Sequence, residues 1–177
     1  MNRATTAALS FLLGLIVVPL GIYAYFAFGR PPVAVADKPF PFEDRVVRVP
    51  LRARIRGEMP AAAPISPTDE NLNAGAQIYE DKCEFCHGVT GEPSSVGGAM
   101  FPRAPQLFAK KRNGAVGVSH DPVGATYWRI KNGVRLTGMP AYEKALSETE
   151  MWQVTLLLSR ANTPLPAEAA RIVGQTR

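Results

Sequence analysis

The chain has 177 residues, 46% of them apolar and 20% charged, with a formal net charge of +5 and a pI of about 9.5. Length and composition fit one core of modest size, and the sequence contains no internal repeat. Charge is divided unevenly: residues 1–65 hold eight Lys/Arg against four Asp/Glu, a balance of plus four, which leaves plus one from Ser66 onward. The high pI therefore belongs to the N-terminal third and excludes a nucleic-acid footprint. Lys110-Lys111-Arg112, a basic cluster in the remainder, reads as solvated surface, with a docking patch as the alternative.

From Ala7 to Phe28 the chain is uncharged and mostly apolar for about 22 residues. As a helix this run spans roughly 33 Å, enough for the hydrocarbon core of a bilayer. Tyr23 and Tyr25 stand near its outer end, where aromatic rings favour the interface, and Pro19 is tolerated because membrane helices accept proline. Residues 1–28 are thus expected to form one transmembrane anchor. The alternative is a cleaved signal peptide, since Ala34-Val35-Ala36 before Asp37 has the small-x-small form of a cleavage site. Against cleavage, the apolar run is longer than a usual signal segment and ends well before that site, with Arg30-Pro31-Pro32 between. Arg3 is the only basic side chain ahead of the span, so charge does not set its orientation.

Residues 29–67 are rich in proline and poor in helix signals, which predicts an extended linker. Within it Val47, Val49, Leu51, Ala53 and Ile55 alternate with Arg48, Pro50, Arg52, Arg54 and Arg56. A period of two suits a strand with one apolar and one basic face, and Pro50 confines it to an edge or an arm. The arm is either a solvated tether or a strap that docks through its arginines on a partner subunit or on anionic lipid headgroups.

Thr68 or Asp69 caps a predicted helix that runs through about Lys82. It leads into Cys83-Glu84-Phe85-Cys86-His87, whose two thiols and adjacent imidazole stand at the spacing that attaches a c-type haem. Two cysteines a helical turn apart reach the two vinyl groups of one macrocycle, and the next histidine comes under the iron as proximal ligand. A structural zinc site needs four ligands, and with two cysteines and two histidines in the whole chain only His120 is left to join Cys83, Cys86 and His87. A thioredoxin-like pair wants a preceding strand and an α/β domain, whereas the flanks read as helix. Two haem propionates would turn the nearly neutral remainder slightly acidic.

A long Gly/Pro-containing loop from Gly88 to about Pro105 follows, of a length that makes sense if it wraps a cofactor. Short helices are predicted around Leu107 to Lys111 and Val123 to Lys131, the second ended by Asn132-Gly133. In Thr137-Gly138-Met139-Pro140-Ala141, Met139 is the expected distal ligand, because a thioether raises the potential of a histidine-ligated haem and Pro140 stiffens the segment that presents it. Met100 is its competitor, placed in the Gly/Pro-rich loop close to the haem motif. His120, in the loop Ser119-His120-Asp121-Pro122, is the remaining candidate for a bis-histidine haem. Ser147 and Glu150 form a capping box for a last helix with Trp152, Thr155, Leu156 and Leu158 on its inward face. Residues 164–177 read as a tail with a helical turn near Ala167 to Ile172.

With these pieces in this order the chain resembles the class I c-type cytochromes, in particular membrane-anchored single-haem members similar to haem-binding subunits of bacterial respiratory oxidases and dehydrogenases. The resemblance rests on Gly75, Tyr79, the haem motif, Pro105-Gln106-Leu107, Trp128 with Asn132-Gly133, Gly138-Met139-Pro140 and Trp152. It implies an all-α cytochrome c fold over residues 68–163 around one covalent haem c. It also implies that Gly75 lets the first helix cross the last closely, with Tyr79 near Trp152. The Pro105 carbonyl would accept a hydrogen bond from the His87 ring, and Leu107 and Trp128 would stand at the cofactor. By the same resemblance the haem domain lies on the periplasmic side of the bacterial inner membrane, or free in the periplasm if the anchor is cleaved.

If His87 and Met139 both bind iron, no position is left for oxygen or substrate, so the expected function is one-electron transfer in a respiratory chain, without a catalytic residue. The partner would be a redox protein or a membrane respiratory complex, with no nucleic acid involved. The alternative is an integral electron-transfer subunit of an oxidase or dehydrogenase complex. A gas sensor or peroxidase would need a vacant or displaceable iron site. The sequence leaves donor, acceptor and oligomeric state open.

Overall fold

Thr68 and Ser147 start the two helices that carry the core. The computed structural model describes residues 2–175, with Asp44 described by its backbone alone, and holds eight helices and no strand among them. They are α1 (Arg3–Phe28), α2 (Glu43–Glu58), α3 (Asp69–Lys82), α4 (Glu84–His87), α5 (Ser95–Gly98), α6 (Val123–Asn132), α7 (Glu148–Ser159) and α8 (Ala167–Ile172). Two compact units are distinguished, residues 1–43 and 44–177.

In the first unit α1 is long and apolar enough to cross a membrane, with a mean hydropathy of 2.2 over its most apolar window and none of that window buried. Its N-terminus is capped by Asn2, whose side-chain oxygen accepts from the Ala4 and Thr5 amides. After it, the Asp37 carboxylate accepts from the Val33 and Ala34 amides at 2.8 Å each, and these two bonds hold its pKa below the usual carboxylate value.

In the second unit α3 begins at Thr68, whose hydroxyl accepts from the Asn71 amide. Ser147 and Glu150 cap α7 reciprocally, Ser147 Oγ accepting from the Glu150 amide and Glu150 Oε2 from the Ser147 amide at 2.7 Å. The two helices cross backbone to backbone at Gly75, where a Cβ would collide with the Gln153 carbonyl. Trp152 stacks on Tyr127 of α6, centroids 4.0 Å apart, and the ring of Tyr79 meets Phe108 edge-on at 5.0 Å. Each pair adds about 0.5–1.5 kcal/mol beyond its burial. Tyr79 and Trp152 thus share one core, as expected, but each takes a different ring as its immediate partner.

Three expectations need correction. The predicted helix at Leu107 to Lys111 is a turn whose chain pairs at Lys110 with Val116; Leu107 and Phe108 are both buried in the main core, which a turn achieves without a helix face. Residues 164–177 are no tail through the described part, since Leu165, Ala169, Ile172 and Val173 are buried in the main core. Their spacing is one face of a helix; Asn73 of α3 accepts from the Ala169 amide at 3.1 Å, and the Val173 carbonyl accepts from Thr90 N–H at 2.9 Å.

The extended Pro/Arg-rich linker is the third. Residues 43–58 form α2 instead, with Pro50 inside it. A stride of two contains a stride of four, and Leu51, Ile55 and Met59 use the latter: Ile55 is buried against Ala125 and Trp128, with Leu51 and Met59 beside it. Arg54 pairs with Glu58 one turn on, and Glu58 Oε2 accepts the Trp128 indole N–H at 3.0 Å. Both bonds pull the Glu58 carboxyl below its ordinary pKa, the Arg54 bond more strongly. At Gly124 the chain after α2 comes so close that a Cβ would collide with the Pro60 carbonyl. Packing on α6 therefore outweighs the roughly 3 kcal/mol that an interior proline costs a helix.

The Gly75 crossing can be tested directly. Gly75→Ala is expected to force α3 from α7 and cost about 1–3 kcal/mol, lowering the midpoint of denaturant unfolding followed by far-UV circular dichroism. An unchanged midpoint would show that the crossing relaxes without loss.

Candidate functional site: a cavity at the Cys-x-x-Cys-His motif

The α3 helix ends at Cys83, whose amide still bonds to the Tyr79 carbonyl, and the motif continues as the single turn α4. The Ser94 hydroxyl donates to the Phe85 carbonyl at 2.6 Å and accepts from the Gly97 amide, while the Ser94 amide donates to Gln106 Oε1. These bonds tie the loop after the motif to the motif and to the Pro105-Gln106 segment. Sequence reading passed over Ser94 and gave Gln106 no role of its own within Pro105-Gln106-Leu107, because a polar residue in an irregular loop has no periodicity to mark it.

A cavity of about 650 Å³ opens here, lined by Cys83, Cys86 and His87, by Met100 and Met139, and by Pro105, Leu107, Val118, Ile130 and Leu158. Six of the seven residues expected at the cofactor are thus brought together. Trp128 is the exception: it lies in the contact between α6 and α2, with its indole N–H on Glu58, and does not line the cavity. Its position on α6 turns it to the opposite side from Ile130 and Thr126, which do. His120 is exposed and also stands outside the lining.

Nδ1 of His87 stands 2.7 Å from the Pro105 carbonyl oxygen, which can only accept, so Nδ1 carries the proton and Nε2 the lone pair. Burial pushes the imidazole pKa down, and the Pro105 carbonyl opposes this less strongly, so the ring is held neutral as a metal ligand must be. Burial, helped by the neighbouring Cys86, pushes the Cys83 thiol up to about 12. A thiol so protonated is a poor redox nucleophile. Both cysteines are free, and among the described residues no three His, Cys, Asp or Glu stand together to hold a metal ion. The zinc reading therefore lacks its fourth ligand, since His120 stands outside the cavity, and the helical flanks lack the strand that a thioredoxin-like pair wants.

Met139 is held by a closed turn. The Val134 amide donates to the Met139 carbonyl at 3.2 Å, the Thr137 hydroxyl to the Val134 carbonyl at 2.6 Å, and the Met139 amide to Thr137 Oγ1 at 3.1 Å. Tyr142 Oη reaches the Lys82 carbonyl at 2.7 Å, which joins this segment to the end of α3 beside Cys83. Met100 Sδ lies against Gly138, 3.0 Å from where a Cβ would stand, so both sulfur candidates face one cavity.

Residues 70–157 match the family model described as cytochrome c oxidase, cbb3-type, subunit III. This region is a class I c-type cytochrome domain. The cytochrome's family cofactor is haem c, and its role is electron transfer. No curated protein matches the chain. Among solved structures, a chain of the reducing HAO-like protein complex of Kuenenia stuttgartiensis is similar at 22% identity and a TM-score of 0.46, over 78% of this chain and 54% of that one. The present chain thus spans about half the length of that relative. The cavity suits the cytochrome's cofactor: its volume lies in the range of cofactor sites, its wall is mostly apolar, and thiols, neutral imidazole and thioether all face it.

Proposed function

We propose that the protein is a membrane-anchored electron carrier with one haem c, bound covalently through Cys83 and Cys86 and ligated by His87 and Met139. The observation that carries this reading is that both thiols, the His87 ring and Met139 line one cavity of about 650 Å³. When bound, the group supplies reversible one-electron chemistry. The chain's own contribution is to hold it. The Pro105 carbonyl fixes the His87 ring, the turn at Thr137 presents Met139, and Leu107, Val118, Ile130 and Leu158 exclude water. With His87 and Met139 both holding the haem iron, no position would remain open for bond chemistry, and the protein would act as a carrier rather than as an enzyme by itself.

α1 supports the anchor by length and composition, and the haem domain would then face the periplasm of a bacterial cell. The partner is a redox protein or a respiratory complex of that membrane. The description of the matching family, an oxidase subunit, favours the second reading, a permanent electron-transfer subunit of such a complex.

Expressed with a haem-attachment system, the protein should keep its haem through denaturation and acid-acetone extraction, whereas release of all the haem would rule out thioether attachment. Met139→His should lower the reduction potential and abolish the sulfur-to-iron absorption band, and Met100→Leu should leave both nearly intact. The reverse pattern would transfer ligation to Met100. Intact mass of protein taken from native membranes should correspond to a chain that retains residues 1–28. A chain beginning at Asp37 would make it a soluble periplasmic carrier.

A further inference from the structure

The wall of the cavity includes two residues from outside the region that matches the family, Arg48 and Arg52 of α2. They stand one helical turn apart and so share a face. The neighbouring stripe, Leu51 and Ile55, is packed on Ala125 and Trp128, and Glu58 at the end of α2 is held by the Trp128 indole. α2 is therefore fixed on the domain in the rotation that puts these two arginines at the cavity. Trp128, expected at the cofactor, acts instead as the brace of the helix that faces it.

A haem c bound through Cys83 and Cys86 directs its two vinyl carbons to those thiols, and its two propionates leave the macrocycle from a different edge. These carboxylates need cations where the apolar wall ends, and paired guanidinium groups are the best-matched donors for them. Other charged groups line the same cavity. Lys82 stands next to Cys83 in the chain, and Arg129 lies on α6 with its guanidinium toward Asp121 at 3.4 Å. Arg103 and Lys111 lie in irregular segments, whereas Arg48 and Arg52 are presented by a docked helix. We infer that Arg48 and Arg52 of α2 form a clamp for the haem propionates, which makes α2 part of the haem site. This rests on the covalent haem reading above.

Positive charge beside the propionates disfavours the extra positive charge of ferric haem, so the clamp raises the reduction potential. Full-length haem-loaded protein in detergent is the material for the test, with Arg48→Gln and Arg52→Gln made singly and together. Spectroelectrochemical titration should give a lower midpoint potential for each single variant and a larger fall for the double variant. Absorption maxima should stay unchanged, and the difference should shrink as salt rises. Arg56→Gln, the same charge change on an exposed α2 residue outside the cavity lining, should match the parent. A parent-like potential in the double variant, or an equal fall in Arg56→Gln, overturns the clamp. Failure of the parent itself to retain haem would instead overturn the covalent haem reading, so the two failures are distinguishable.

Discussion

Because position 75 has no Cβ to meet the Gln153 carbonyl, α3 and α7 lie with their backbones in contact. That crossing fixes where α3 ends, and α3 ends at Cys83. The haem motif is thereby delivered to one place relative to Leu158 of α7, which forms part of the same cavity. α8 packs back on α3 through Asn73 and closes the far side. A side chain at residue 75 would move both the thiols and the apolar wall they face, although it touches neither.

The regions that carry the site are short of regular structure. Between α4 and α6 the described chain holds only the single turn α5 and isolated bridges, and its backbone groups are satisfied by side chains such as Ser94, Gln106 and Asn113. An irregular stretch of that length is unusual around an ordinary core. Here it borders a cavity large enough for a cofactor, and a bound macrocycle would supply the apolar contacts that packed helices otherwise make. The His87 environment follows the same logic, since burial that keeps the ring neutral also leaves one nitrogen ready for iron.

The arginines of α2 are used within the haem domain itself. The basic excess of the N-terminal third looks in sequence like a tether or a docking strap. On α2 its arginines have separate local tasks: Arg54 holds Glu58, which holds Trp128, while Arg48 and Arg52 line the cavity. The domain is thus larger at both ends than the family match, taking in α2 before residue 70 and α8 after residue 157.

Local chemistry made much of this legible from residues alone. Cys83, Cys86 and His87 stand at a haem-attaching spacing, Thr68 and Ser147 declare helix starts by their caps, and Gly75 marks a close crossing because a mid-helix glycine is otherwise costly. Position in space was another matter. The alternation in residues 47–55 fits a strand and a helix equally until a partner selects one, and the partner is Trp128, some seventy residues away. The same contact took Trp128 from the cofactor to the outside of α6, and Leu165, Ala169, Ile172 and Val173 joined the core because α3 offered them a surface. Sequence by itself determined which groups could bind a haem and where helices begin; the tertiary structure decided which faces are covered, because burial depends on neighbours that the chain supplies from far along its length.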